Sequence, residues 1–94
     1  MAEAPVEAHL MTSVRKHGGL CVKLIIMGKR NFPDRTCMMP NGKIFFVECK
    51  AADKDARKAQ AWYHRLLRRL GFNVYVAKTK KEVDEIIHRE MASP

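Results

Sequence analysis

The chain has 94 residues and carries 18 lysines and arginines against 10 aspartates and glutamates, a formal charge of +8. That length holds one domain, 1–94, with a modest core, and excludes a two-domain chain, a repeat array or a long coiled coil. A hydrophobic fraction of 47% excludes wholesale disorder, and no apolar run approaches the roughly 18 residues a membrane span needs.

Taken in chain order, residues 5–17 place Val6, Leu10 and Val14 four apart, predicting a helix that Pro5 opens and Gly18-Gly19 stop. The β-branched run 21–26 predicts a strand, and 28–32, with Lys29 and Arg30 in its middle, a basic loop. Two more strands are expected over 34–39 and 43–50, joined at Pro40-Asn41-Gly42. Ala59, Tyr63, Leu66, Leu67 and Leu70 form the apolar face of the clearest helix. Asp53 or Asp55 can cap its start, and Gly71 supplies the residue just past its end, followed by Phe72. Residues 73–78 read as a strand built on Val74 and Val76. Thr79-x-x-Glu82 is a capping box opening a last helix through Ile86 and Ile87. The order α-β-β-β-α-β-α describes an α/β domain, a central mixed sheet flanked by helices.

The charge implies an acidic partner, of which nucleic acid is the commonest. Thirteen of the 18 cations lie within 29–80, a span holding only the acids Asp34, Glu48, Asp53 and Asp55. Cys21, Cys37 and Cys49 form no C-x-x-C pair and read as buried, reduced thiols in strands. The four histidines lack ligand spacing and read as surface or packing residues. No basic stretch followed by an apolar one marks the N-terminus, so a cytoplasmic location is expected.

The chemistry concentrates at Pro33-Asp34 and Glu48-Cys49-Lys50. Strand alternation points Glu48 and Lys50 one way and Cys49 the other. An acid and a lysine at the end of the apolar run Ile44-Phe45-Phe46-Val47 either emerge into solvent or do chemistry. Turn stereochemistry decides where Asp34 falls. With Asn41-Gly42 as the centre of a two-residue hairpin, Pro40 would have to donate the closing hydrogen bond, and it has no N–H. A type I turn over Met39-Pro40-Asn41-Gly42, with Gly42 at the left-handed bulge, pairs Met39 with Lys43 instead. That register sets Asp34 opposite Glu48 on one face. Two such carboxylates, with the Cys49 backbone carbonyl nearby, offer hard oxygen ligands for Mg²⁺ or Mn²⁺, and Lys50 beside them can orient water or neutralise charge.

These residues resemble the PD-(D/E)xK nuclease core, and the wider pattern resembles its virus-type replication-repair branch, the VRR-NUC domain. The likeness takes in Glu7, Gly19, Pro33-Asp34-Arg35, Asn41-Gly42, Phe46-Val47-Glu48-Cys49-Lys50, Gln60 and Leu70-Gly71-Phe72-Asn73-Val74. It implies a restriction-endonuclease-like fold in which Glu7, Asp34, Glu48 and the Cys49 carbonyl bind metal. Lys50 is then the catalytic lysine, and Gln60 completes the site. Without the family, Glu7 reads as an acid favoured by the helix dipole, with Glu3 its competitor for the metal, and Gln60 as a boundary residue. Asn31 stands where family members usually carry glycine; asparagine is the next most tolerant of a left-handed backbone.

Lys29, Arg30, Arg35, Lys54, Arg57 and Lys58 are the expected phosphate contacts. Arg65, Arg68 and Arg69 read as the solvated face of their helix, and Tyr63 as core rather than a stacking platform. The resemblance further implies a Mg²⁺- or Mn²⁺-dependent DNA endonuclease without an organic cofactor. It would act as a homodimer on branched DNA such as four-way junctions, in the cytoplasm of a bacterium or a phage-infected host. A flap- or end-specific nuclease, and a non-catalytic nucleic-acid-binding module, are the alternatives.

Overall fold

The computed structural model describes residues 3–28, 31–51, 53 and 57–92. Helix α1 (Glu3–Lys16) buries the expected stripe of Val6, Leu10 and Val14, together with Ser13. It ends in a Schellman turn: Gly19 N–H donates to the Val14 carbonyl (2.9 Å) and Gly18 N–H to that of Arg15 (3.0 Å), with Gly18 at φ 83°. Gly19 is needed for space, since a Cβ there would meet the Met39 sulfur at 2.6 Å and the Met38 carbonyl at 2.7 Å.

Strand β1 (Leu20–Val22) pairs antiparallel with β2 (Arg35–Met39), which pairs antiparallel with β3 (Lys43–Cys49). The hairpin register is the one turn chemistry predicts, Met39 opposite Lys43 and Arg35 opposite Val47. Its turn, Pro40–Gly42, differs in form: Asn41 (φ 68°) and Gly42 (φ 76°) are both left-handed, where Gly42 alone was expected. Asparagine accepts that region more readily than other residues with a side chain, so the register survives the change.

Helix α2 (Lys58–Arg69) crosses over the sheet to β4 (Asn73–Ala77), which lies parallel to β3 with Glu48 opposite Val76. Helix α3 (Lys80–Ala92) follows, Glu82 N–H donating to Thr79 Oγ1 at 3.0 Å as the capping box requires. The strands run in the order β1-β2-β3-β4. Helices α1 and α3 cover one face, where Leu10, Val14, Phe45, Val47, Val83 and Ile87 form the main core. The α2 side holds a smaller cluster of Phe46, Leu67, Val74 and Phe32. Among the described residues, no helix is long and apolar enough to cross a membrane.

Three expectations need correction. The first strand stops at Val22, and residues 23–26 lie outside the sheet, because Val22 already pairs with Thr36 and β2 reaches only one residue further. Helix α2 turns Gln60, His64 and Leu67 inward, while Ala59 and Leu70 are exposed and Tyr63 is half-buried, edge-on to Phe32 at 5.7 Å. Its N-cap residue is Arg57 and not Asp53. Asp53 is exposed, Asp55 lies outside the described residues, and the Gln60 side chain instead accepts the Arg57 N–H at 2.9 Å. Gly71 ends the helix as expected, with Phe72 N–H on the Leu67 carbonyl (3.0 Å).

Candidate active site

The β3 alternation sends Val47 and Cys49 into the α1/α3 core and leaves Phe46, Glu48 and Lys50 on the α2 side. One step before β2, Asp34 meets the end of β3 as the hairpin register requires, and its Oδ2 accepts the Cys49 N–H at 3.1 Å. Glu48 is completely buried. A buried carboxylate must be paired or hydrogen-bonded, and α2 supplies the partners. Gln60 Nε2 donates to Glu48 Oε2 at 3.0 Å, and His64 Nε2 lies 3.4 Å from Oε1. Lys50 Nζ is 3.8 Å from Oε2. Because the Gln60 carbonyl oxygen is occupied by the Arg57 N–H, the amide is fixed with its NH₂ toward Glu48.

This crowding shows in Asp34. Burial, and then the hydrogen bond to and the charge of Glu48, push its carboxyl up to about 7, against the opposing pull of the Cys49 N–H and the Lys50 ammonium. Two carboxyl groups thus share a confined space, and near neutrality Asp34 retains a proton for part of the time. The donor chemistry suits a divalent cation, whose charge would take the place of that proton. Asp34, Glu48, Lys50 and Gln60 are therefore brought together as the sequence predicts. His64, read as a packing or surface residue, belongs with them; its signal was its place four residues after Gln60, one turn along the same helix face.

Glu7 is not brought to this cluster. It lies on α1, on the other side of the sheet, where it accepts the Arg35 Nε–H at 2.9 Å. The same ion pair occupies Arg35, expected to contact phosphate. Asp34 and Arg35 are neighbours in the chain and face opposite layers, so what reaches one misses the other. Glu3 is exposed in the first turn of α1. Among the described residues, no three His, Cys, Asp or Glu side chains group as a metal site, so the carboxylate donors at hand are two. Arg57 Nη2 donates to Asn31 Oδ1 at 2.8 Å, tying the start of α2 to the loop before Pro33; Asn31 takes the left-handed backbone expected of it (φ 68°). Lys58 is exposed, and Lys29, Arg30 and Lys54 lie outside the described residues. The three cysteines are free thiols, Cys37 and Cys49 buried and Cys21 half-buried.

No protein-family model matches the chain. A relative from Acyrthosiphon pisum secondary endosymbiont phage 1, named Putative nuclease p44, is 45% identical over 74 residues, which cover 79% of this chain and 80% of that protein. A solved structure described as a VRR_NUC domain superposes with a TM-score of 0.88 at 31% identity, covering 94% of this chain and 96% of that one.

Proposed function

The chain belongs to the VRR-NUC family of nucleases, and on that premise we propose that it is a divalent-metal-dependent endonuclease hydrolysing DNA phosphodiester bonds. The observation that carries this reading is the pair Asp34 and Glu48, closed by Lys50 at the end of β3, with Asp34 pushed up to about 7 by its neighbour and by burial. A packing role gives no reason to confine two acids there, whereas a cation site does.

Asp34, Glu48 and the Cys49 carbonyl would hold Mg²⁺ or Mn²⁺. When bound, the ion polarises the scissile phosphoryl group and offsets the charge that builds up on it. The protein's own residues do the rest. Gln60 and His64 fix the Glu48 carboxylate through both its oxygens, and the Cys49 N–H fixes Asp34. Lys50 orients the attacking water and carries positive charge next to the phosphorane-like transition state. Water adds to phosphorus as the bond to the leaving oxygen breaks; the attacking water's proton passes to solvent, and the leaving oxygen takes up a proton from solvent to depart as the alcohol.

The reading extends to a homodimer acting on branched DNA such as four-way junctions, in the cytoplasm of the host cell. What supports the dimer is an apolar surface beside the free edge of β1: Leu20, Leu24, Ile25 and Met27 are exposed, Ile25 at 89% and Met27 at 96%. A two-fold pair would present two sites to two strands of matching polarity.

The test is cleavage of labelled linear, flap and four-way-junction DNA with Mg²⁺, with Mn²⁺ and with EDTA, by the parent and by Lys50→Ala, alongside light scattering for the mass in solution. Metal-dependent cutting of the junction by a dimeric parent, lost in Lys50→Ala, is the expected result. Preference for flaps or ends replaces the substrate, a monomer that cuts replaces the dimer, and binding without cutting replaces the enzyme with a binding module.

A further inference from the structure

At the far end of α2 from Gln60, a cavity of about 380 Å³ opens between the last turn of α2, the first residues of β4 and the last turns of α3. Two guanidiniums line it, Arg68 from α2 and Arg89 from α3. Arg68 is anchored by one donor, Nη2, to the Val74 carbonyl at 2.7 Å, and Arg89 is held over the Tyr75 ring, 6.0 Å from its centroid. Neither has a carboxylate within ion-pair distance among the described residues. The one acid in the wall, Glu90, is buried and engaged: Asn73 Nδ2 donates to its Oε2 at 2.7 Å and the Tyr75 hydroxyl donates to the same oxygen. The cavity thus presents two guanidiniums, neither ion-paired among the described residues, beside the partly exposed ring of Phe72. Paired guanidinium forks are suited to phosphate oxygens, and an aromatic face to a base.

Eight residues of helix separate Arg68 from Gln60, about 12 Å. A strand of duplex advances about 3.4 Å along its axis per nucleotide, so the cavity lies within a few nucleotides' reach of the site. We propose that the Arg68–Arg89 cavity binds a backbone phosphate of the substrate strand, a few nucleotides from the scissile bond. The inference rests on the nuclease reading above and adds to it a second point of attachment. Arg68 and Arg89 are binding residues for the strand, remote from the reacting atoms. The same donors would also accept free phosphate, so the experiment separates the two sources.

The variant is Arg89→Gln, which removes the charge from an exposed helix position. Lys16→Gln, an exposed cation at the end of α1, is the control for net charge alone. Affinity for a labelled four-way junction is measured by fluorescence anisotropy in Ca²⁺ over a range of salt, and cleavage in Mg²⁺. Arg89→Gln is expected to bind about fivefold to tenfold more weakly. The slope of log affinity against log salt should be shallower by about 0.9, with raised KM and unchanged kcat. Lys16→Gln should stay within about twofold of the parent. Arg68→Lys, which keeps the charge and loses the fork, is expected to weaken binding severalfold.

Equal affinity and salt slope for Arg89→Gln and the parent overturn the cavity as a DNA contact. So does an equal loss in Lys16→Gln, which makes the effect one of net charge. Inorganic phosphate binding at Arg89 by NMR, with DNA affinity unmoved, overturns it in favour of a free anion. A parent that neither binds nor cuts DNA overturns the nuclease reading itself.

Discussion

Replacing Asp34 by asparagine should stabilise the metal-free protein while abolishing cleavage. Asp34 shares its confined space with the buried Glu48, and its carboxyl is held up at about 7 by burial first and by Glu48 second. Its folded value lies above its unfolded value near 3.8. The resulting contribution is present in full below pH 4 and is lost as pH rises through about 7. At full strength that shift corresponds to about 4 kcal/mol, which solvent around a half-buried carboxyl reduces to about 2 kcal/mol. Asparagine cannot ionise, yet it keeps the oxygen that accepts the Cys49 N–H. In EDTA, Asp34→Asn is therefore expected to match the parent at pH 4 and to exceed it by about 2 kcal/mol at pH 8. For a domain of this size each kcal/mol is about 4–8 °C in Tm. Urea unfolding at the two pH values reads this directly. Added Mn²⁺ should stabilise the parent at pH 8 and leave the variant little changed, narrowing the gap. The same offset at both pH values, or a variant less stable at pH 8, would refute the claim that Asp34 and Glu48 compete for one space.

Truncating His64 to alanine should leave Glu48 held by Gln60 and Lys50 alone and weaken Mn²⁺ binding about tenfold by calorimetry, with His64→Asn recovering part of the loss; unchanged affinity would remove His64 from the site. The Thr36 hydroxyl is buried without a hydrogen-bond partner among the described residues, so Thr36→Val is expected to gain about 1 kcal/mol in urea unfolding, and a loss of that size would mean the hydroxyl is satisfied. Cys21 sits below its ordinary thiol value, chiefly through the hydrogen bond from Cys37 (4.0 Å); that bond, and then burial, push Cys37 up, while burial pushes Cys49 up to about 12. A disulfide reagent at pH 8 should accordingly label Cys21 first, and mass analysis showing Cys37 or Cys49 labelled as quickly would contradict that order.

The hairpin was legible because one missing N–H, that of Pro40, selects a register, and the register alone brings Asp34 to Glu48. Glu7 is paired with Arg35 and stands apart from the Asp34–Glu48 pair for a reason the same parity contains. Once Asp34 faces α2, Arg35 must face α1, and an acid on α1 finds the arginine before it can find the metal pair. The α2 face was misjudged by counting apolar residues. Ala59, Tyr63 and Leu70 outnumber the polar positions, but Glu48 is fully buried under that helix and needs donors, so Gln60 and His64 take the inward places. A helix stripe read from its own segment cannot register a carboxylate on a strand ten residues away. The first strand was overextended for a related reason: β-branched composition suits a strand, but only a neighbouring strand gives its backbone somewhere to bond.

The two faces of the sheet consequently divide the tasks. The α1/α3 side holds most of the apolar core and needs nothing from the site. The α2 side holds, among the described residues, a smaller apolar cluster of Phe46, Leu67, Val74 and Phe32, with Tyr63 and Phe72 against its rings, and its first two turns are committed to Glu48. Each hydrogen bond that positions Glu48 therefore also seats α2, since Gln60 caps the helix with one end of its amide and holds the carboxylate with the other. A proton on Asp34 lessens the repulsion confined beneath the helix, and the contacts that hold Glu48 and those that seat the start of α2 rest on the same two side chains, Gln60 and His64.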